Sequence, residues 1–135
     1  MRLFDFGLAK ELKQRDLVEH PDGYRATGMT GSRRYMAPEV VRSLPYGFSA
    51  DAYSFGILLW EIMALKTPFE RYDASKHLQL VVVGGHRPTM PRTWPAALRT
   101  LLRQTWAARP SDRINMAQVC ESLQSQLRAC NVQLN

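Results

Sequence analysis

One stretch constrains this chain more than any other. From about Ala50 to Ala64 it carries Phe55, Ile57, Leu58, Leu59, Trp60, Ile62 and Met63. At 3.6 residues per turn these side chains cover every side of a helix, so the spacing predicts one buried all round. Ser49 fits the N-cap position, and Pro68 stops the run. The apolar segment Phe55 to Leu65 is short and is interrupted by Glu61, so it is not a membrane span.

The rest of the chain reads as cover for that helix. Residues 2–4 have the character of the end of a short buried strand. From Leu8 to Arg34 no apolar periodicity lasts, and Pro21-Asp22-Gly23 marks a turn, so this is a long loop of a functional or mobile kind. Pro38 suits the first turn of a short helix to about Val41. A further helix covers Ala74 to Val83 and ends at Gly84-Gly85. Trp94-Pro95 opens another, with Leu98, Leu101, Leu102 and Trp106 on one face. Asn115 with Gln118 has the form of a capping box for a last helix, whose face is Met116, Val119, Cys120, Leu123 and Leu127. The predicted class is mainly α after an irregular first quarter.

Composition removes several function classes. The 18 basic and 12 acidic residues leave a formal charge of +6, but the arginines are scattered and no basic run exceeds Arg33-Arg34. Phosphate tracking needs clustering and stacking aromatics, so nucleic acid is not the expected partner; a basic surface facing acidic substrates or anionic partners fits better. Cys120 and Cys130 on one helix would lie about 15 Å apart, too far to bridge, and read as reduced thiols of an intracellular, cytoplasmic protein.

Four short motifs occur in fixed order: Asp5-Phe6-Gly7; Gly31-Ser32-Arg33-Arg34-Tyr35-Met36-Ala37-Pro38-Glu39; Asp51-Ala52-Tyr53-Ser54-Phe55-Gly56; and Arg109-Pro110-Ser111-Asp112-Arg113. This order and spacing resembles the protein kinase family from its Asp-Phe-Gly motif onward, over nearly the whole chain. The Gly31 to Glu39 stretch looks like the serine/threonine pattern. Tyr53 to Glu61 is similar to tyrosine-kinase-like members of that group. The implied fold is a kinase-like helical C-terminal lobe in an incomplete domain. Residues 1–39 would form the metal-binding turn and activation segment, 40–130 the helical lobe, and 131–135 a tail.

The resemblance gives each motif a role. Asp5 would hold magnesium, since a carboxylate on a tight turn offers hard oxygens to the metal; the alternative is an ordinary aspartate at a strand-to-turn junction. Phe6 would pack beneath it, and Gly7 would let the backbone pivot. Glu39 and Arg113 would form a buried ion pair anchoring the activation segment, against the alternative of two solvated charges. Asp51 would favour the dipole of the buried helix; its family partner, the catalytic loop, is absent from this sequence, which would leave a buried carboxylate unpartnered. Ser32 matches a hydroxyl near the family's catalytic residues. Thr27 and Thr30 are candidate phosphosites or plain loop hydroxyls. Arg33 and Arg34 would read substrate, cradle a phosphate, or stay solvated.

The family's Gly-rich loop, strand lysine and His-Arg-Asp loop do not occur here. His86-Arg87 continues to Pro88 and does not replace the last of these. No catalytic residue of the set is therefore present. ATP and Mg2+ belong to the complete domain, together with a protein substrate and an upstream kinase. The competing readings are a non-catalytic helical docking module, centred on Phe69 to Pro91, and a nucleic-acid binder. Apolar surface around Leu3, Phe6 and the buried helix is expected to be partly uncovered.

Overall fold

The computed structural model describes residues 6–18, 23–25 and 31–133; the predicted strand at 2–4, together with Asp5, Pro21, Asp22, Thr27 and Thr30, lies outside them. Five α-helices follow one another: α1 Pro38–Val41, α2 Ser49–Ala64, α3 Ala74–His77, α4 Ala96–Thr105 and α5 Met116–Gln133. Short 3-10 turns at Gln14–Asp16 and Arg33–Tyr35 precede α1, a third at Pro110–Asp112 joins α4 to α5, and among the described residues there is no strand.

Helix α2 is the axis. Its buried residues Tyr53, Ile57 and Trp60 meet Ala37, Phe69, Val81, Leu98, Leu102 and Trp106 in one core. The closest approach is to α4. A Cβ built on Gly56 would sit inside the van der Waals shells of Thr105 Oγ1 and Cβ, so only glycine lets these helices cross here. Thr105 is fully buried and donates its hydroxyl to the Leu102 carbonyl at 2.9 Å. Helix α4 buries Leu98, Leu101, Leu102 and Thr105 on one stripe, as its spacing predicts.

Several expectations need correcting. Helix α2 is not buried all round: Leu58, Ile62 and Met63 are 45%, 58% and 44% exposed. No described element covers that side, and apolar periodicity cannot tell a covered face from an open one. Ser49 is the first helical residue and not the cap; Phe48 holds the cap position without a side-chain hydrogen bond. The helix ends where Leu65 turns left-handed at φ 51°.

The predicted helix 74–83 changes character halfway. Leu78–Val83 is a π-helical turn, closed by the Gly84 N–H donating to the Gln79 carbonyl at 2.9 Å. On α5, Val119 is buried, but Met116, Cys120 and Leu127 are exposed, and the helix runs through Gln133, past the expected boundary at 130. Its capping box forms as read: Gln118 N–H donates to Asn115 Oδ1 and Asn115 N–H to Gln118 Oε1, both at 2.9 Å. Cys120 and Cys130 are free and exposed.

The described residues of the first quarter are tied by specific contacts. Leu17 and Tyr24 pair in an antiparallel bridge. Arg25 N–H donates to the Asp16 carbonyl at 2.7 Å, and Lys10 Nζ to the Arg25 carbonyl at 3.0 Å. Tyr46 N–H then ties the Tyr24 carbonyl to the helical body at 3.0 Å.

Candidate functional site

The segment 31–41 is held to the helical body by side chains from three directions. Gly31, at φ 102°, turns the chain into Ser32, which is exposed and precedes the 3-10 turn Arg33–Tyr35. Tyr35 clips that turn onto α2: its hydroxyl donates to Glu61 Oε2 at 2.7 Å, and its carbonyl accepts from Ser54 Oγ at 2.7 Å. The bond to Glu61, with burial adding to it, raises the Tyr35 phenol above its usual range. Glu61, the one acid interrupting the apolar run of α2, is thus a receiver for this turn.

Pro38 pre-sets the backbone of α1, and Glu39 follows in its first turn, where an acid suits the helix dipole. Arg113 comes from the chain just after the turn Pro110–Asp112. The structure brings the two together: Arg113 Nη1 donates to Glu39 Oε1 at 2.6 Å and Nη2 to Oε2 at 2.9 Å. Their side chains are 0% and 6% exposed. Arg113 Nε also donates to the Ala107 carbonyl at 3.0 Å, and Nη1 to the Ser49 carbonyl at 3.1 Å. A planar fork with every nitrogen occupied is a fixed anchor between α1, α2 and the loop before α5.

Sequence reasoning missed what lies behind this pair. The Tyr53 ring is fully buried, with the Arg113 guanidinium 5.0 Å and the Arg87 guanidinium 4.9 Å from its centroid. Arg87 spends its donors on carbonyls of Trp106 (3.0 Å), Val81 (3.2 Å) and His86 (2.9 Å). Burial pushes the Tyr53 phenol up. The only advance signal was an arginine two residues after the Gly84-Gly85 pair that ends the apolar run Leu80–Val83.

Asp51 is not the buried carboxylate expected. It stands exposed between two clefts of about 420 Å³ and 270 Å³, with Phe48, and receives no hydrogen bond among the described residues. Partial desolvation by these walls raises its carboxyl. Tyr46, in the smaller cleft, is raised by burial and then by the Asp51 charge. Phe6 is 70% exposed and not packed into the body; Gly7 lies in a turn closed by Ala9 N–H on the Phe6 carbonyl at 3.0 Å. Arg33 is exposed and Arg34 half-buried. Asp5, Thr27 and Thr30 fall outside the described residues.

Comparison with known proteins agrees in kind. The family profile described as protein tyrosine and serine/threonine kinase matches residues 1–123. A probable LIM domain-containing serine/threonine-protein kinase of Dictyostelium discoideum is 33% identical over 90% of this chain and 12% of its own length. The serine/threonine-protein kinase VIK of Arabidopsis thaliana is 37% identical over 92% of this chain and 28% of its own length. The dual specificity protein kinase shkB of Dictyostelium discoideum is 34% identical over 88% and 18%. The chain therefore spans only a minor part of each of these relatives. With the profile covering most of its length and kinase relatives matching about nine tenths of it, the chain belongs to the protein kinase family, as a mainly helical part of the catalytic domain.

Proposed function

We propose that this chain is the activation segment and helical lobe of a serine/threonine protein kinase, and that it transfers no phosphate by itself. The observation that carries the reading is the buried two-bond contact between Glu39 and Arg113. Together with Tyr35 on Glu61, it fixes the turn Ser32–Arg34 at the surface of a rigid body. A substrate hydroxyl is positioned by such a platform, and Arg33, exposed on it, offers a cation to acidic neighbours of the phosphorylated residue. Thr27 and Thr30 are the proposed phosphosites for an upstream kinase. Under this reading residues 1–39 form the metal-binding turn and activation segment, 40–130 the helical lobe, and the protein works in the cytoplasm.

We further infer that a nucleotide site needs groups beyond these residues. Among the described residues no group of three or more His, Cys, Asp or Glu side chains is placed to hold a metal. Asp5, proposed as the magnesium ligand in the complete domain, would act there with groups this sequence lacks. Positioning and charge stabilisation supply nearly all the acceleration of phosphoryl transfer, so no step is assigned to the chain alone. Among the described residues no helix is long and apolar enough to cross a membrane. Radiolabelled phosphate transfer to a serine- and threonine-bearing peptide mixture tests this. The chain should give no signal above its Asp5→Asn variant, and turnover above that control would refute the proposal.

A further inference from the structure

Residues 74–111 carry Lys76, Arg87, Arg92, Arg99, Arg103 and Arg109 and no acid, so all 12 Asp and Glu of the chain lie outside them. At the head of this acid-free stretch stands α3 with its π turn. The inward side of that element is His77, Val81 and Val82, all buried. Its outward side carries Leu78, Leu80 and Val83, 44%, 38% and 69% exposed. A lone surface leucine is ordinary, but three aliphatic residues on one short element form a patch. Turns of π type are rare and recur at functional sites.

Cations frame the patch. The Lys76 ammonium lies 4.8 Å from the centroid of the Tyr72 ring, which meets His86 edge-on at 6.1 Å. At the other end Arg42 Nη2 donates to the Val82 carbonyl at 2.9 Å, and Arg87 Nη1 to the Val81 carbonyl. The nearby acids Glu70 and Asp73 precede α3, and Asp73 is engaged as its N-cap, accepting from the Lys76 N–H at 2.7 Å. The patch shares no residue with the open side of α2 or with the clefts beside Asp51.

We propose that this face docks an acidic protein segment, which sets apolar side chains on Leu78, Leu80 and Val83 and carboxylates toward the cations at either end. Burial of the aliphatic patch supplies affinity, and charge selects the partner. A second copy of a chain with charge +6 would bring like charges together. Nucleic acid gains little, because bases stack on aromatic rings and this patch is aliphatic. Docking needs no phosphate transfer, so it goes beyond the kinase reading without resting on it.

The test is fluorescence anisotropy of the whole 135-residue chain with a labelled peptide of about 15 residues, in which leucines recur at helical spacing among glutamates. Saturable binding that weakens as salt rises is expected. Val83→Glu and Leu78→Glu, at exposed positions, should each weaken it by more than about tenfold while keeping the helical circular dichroism. Lys76→Glu should weaken it by about tenfold, and Ile62→Glu, on the open side of α2, by less than about twofold. The proposal is overturned by no binding, by equal binding of a peptide with serine at each leucine, or by an equal loss in Ile62→Glu and Val83→Glu. Tighter binding to vesicles of anionic phospholipid, abolished by Val83→Glu, would assign the face to a membrane and overturn it too. Because the readout is binding without nucleotide, failure here leaves the kinase reading untouched.

Discussion

Replacing Arg113 by alanine should be among the most damaging single changes available to this fold. It strands Glu39, 6% exposed, as a buried carboxylate without its cation, and frees the carbonyls of Ala107 and Ser49. Breaking a buried pair from one side costs about 3–5 kcal/mol, to be set against a total stability of about 5–15 kcal/mol. Taking about 4 kcal/mol, and an unfolding entropy of about 2.1 cal/mol/K per residue over 135 residues, the melting temperature should fall by about 14 °C. Glu39→Ala should cost less, because Arg113 keeps its carbonyl acceptors and its place beside the Tyr53 ring. Arg113→Lys, which keeps charge and loses the fork, should fall between wild type and Arg113→Ala. Thermal and urea unfolding of the two alanine variants and their double variant gives the coupling energy, expected at about 2–3 kcal/mol. A loss below about 1 kcal/mol for Arg113→Ala would mean the pair behaves as a solvated one, and the anchoring argument would fail.

Three further outcomes follow from named contacts. Gly56→Ala should cost about 2 kcal/mol by driving a methyl into Thr105, and Thr105→Ala in the same chain should recover part of the loss in urea melts. His77 is 3% exposed with no partner on either ring nitrogen, and burial, then Arg33 and Arg87, lower its pKa from 6.5. The unfolded chain then binds the proton more readily, so stability should be full above about pH 6.5 and fall on acidification; unfolding midpoints that drop equally in His77→Gln would remove His77 as the cause. Tyr35→Phe deletes the bond to Glu61 and should cost about 1 kcal/mol, with faster amide exchange confined to residues 31–37; unchanged exchange there would show that Ser54 alone holds the turn.

What the sequence made legible was local or carried by spacing. The Asn115–Gln118 box, the Pro38 start of α1 and the α4 stripe each depend on neighbours within one or two turns, and each is found in the structure. The meeting of Glu39 and Arg113 is a contact across 74 residues, readable only through the ordered motifs. What stayed hidden depends on three-dimensional context. An apolar residue reads the same whether covered or bare, so the open side of α2 could not be told from its buried side. The π turn at Leu78–Val83 inserts one residue per turn without any change in composition. The partners of Tyr53 and Tyr35 come from segments that no periodicity connects to them.

The Tyr53 ring has a consequence for how this protein tolerates change. Two guanidinium groups approach one aromatic side chain, each fastened to different stretches of backbone, so the ring is an electron-rich contact that two like charges share. A leucine would leave part of the space empty and offer no electron-rich face. Arg87 and Arg113 would then both lose a cation–π contact, and both fastenings would slacken at once. One aromatic position therefore couples the strap after the π turn to the mooring of α1, and a lesion at either is felt at the other.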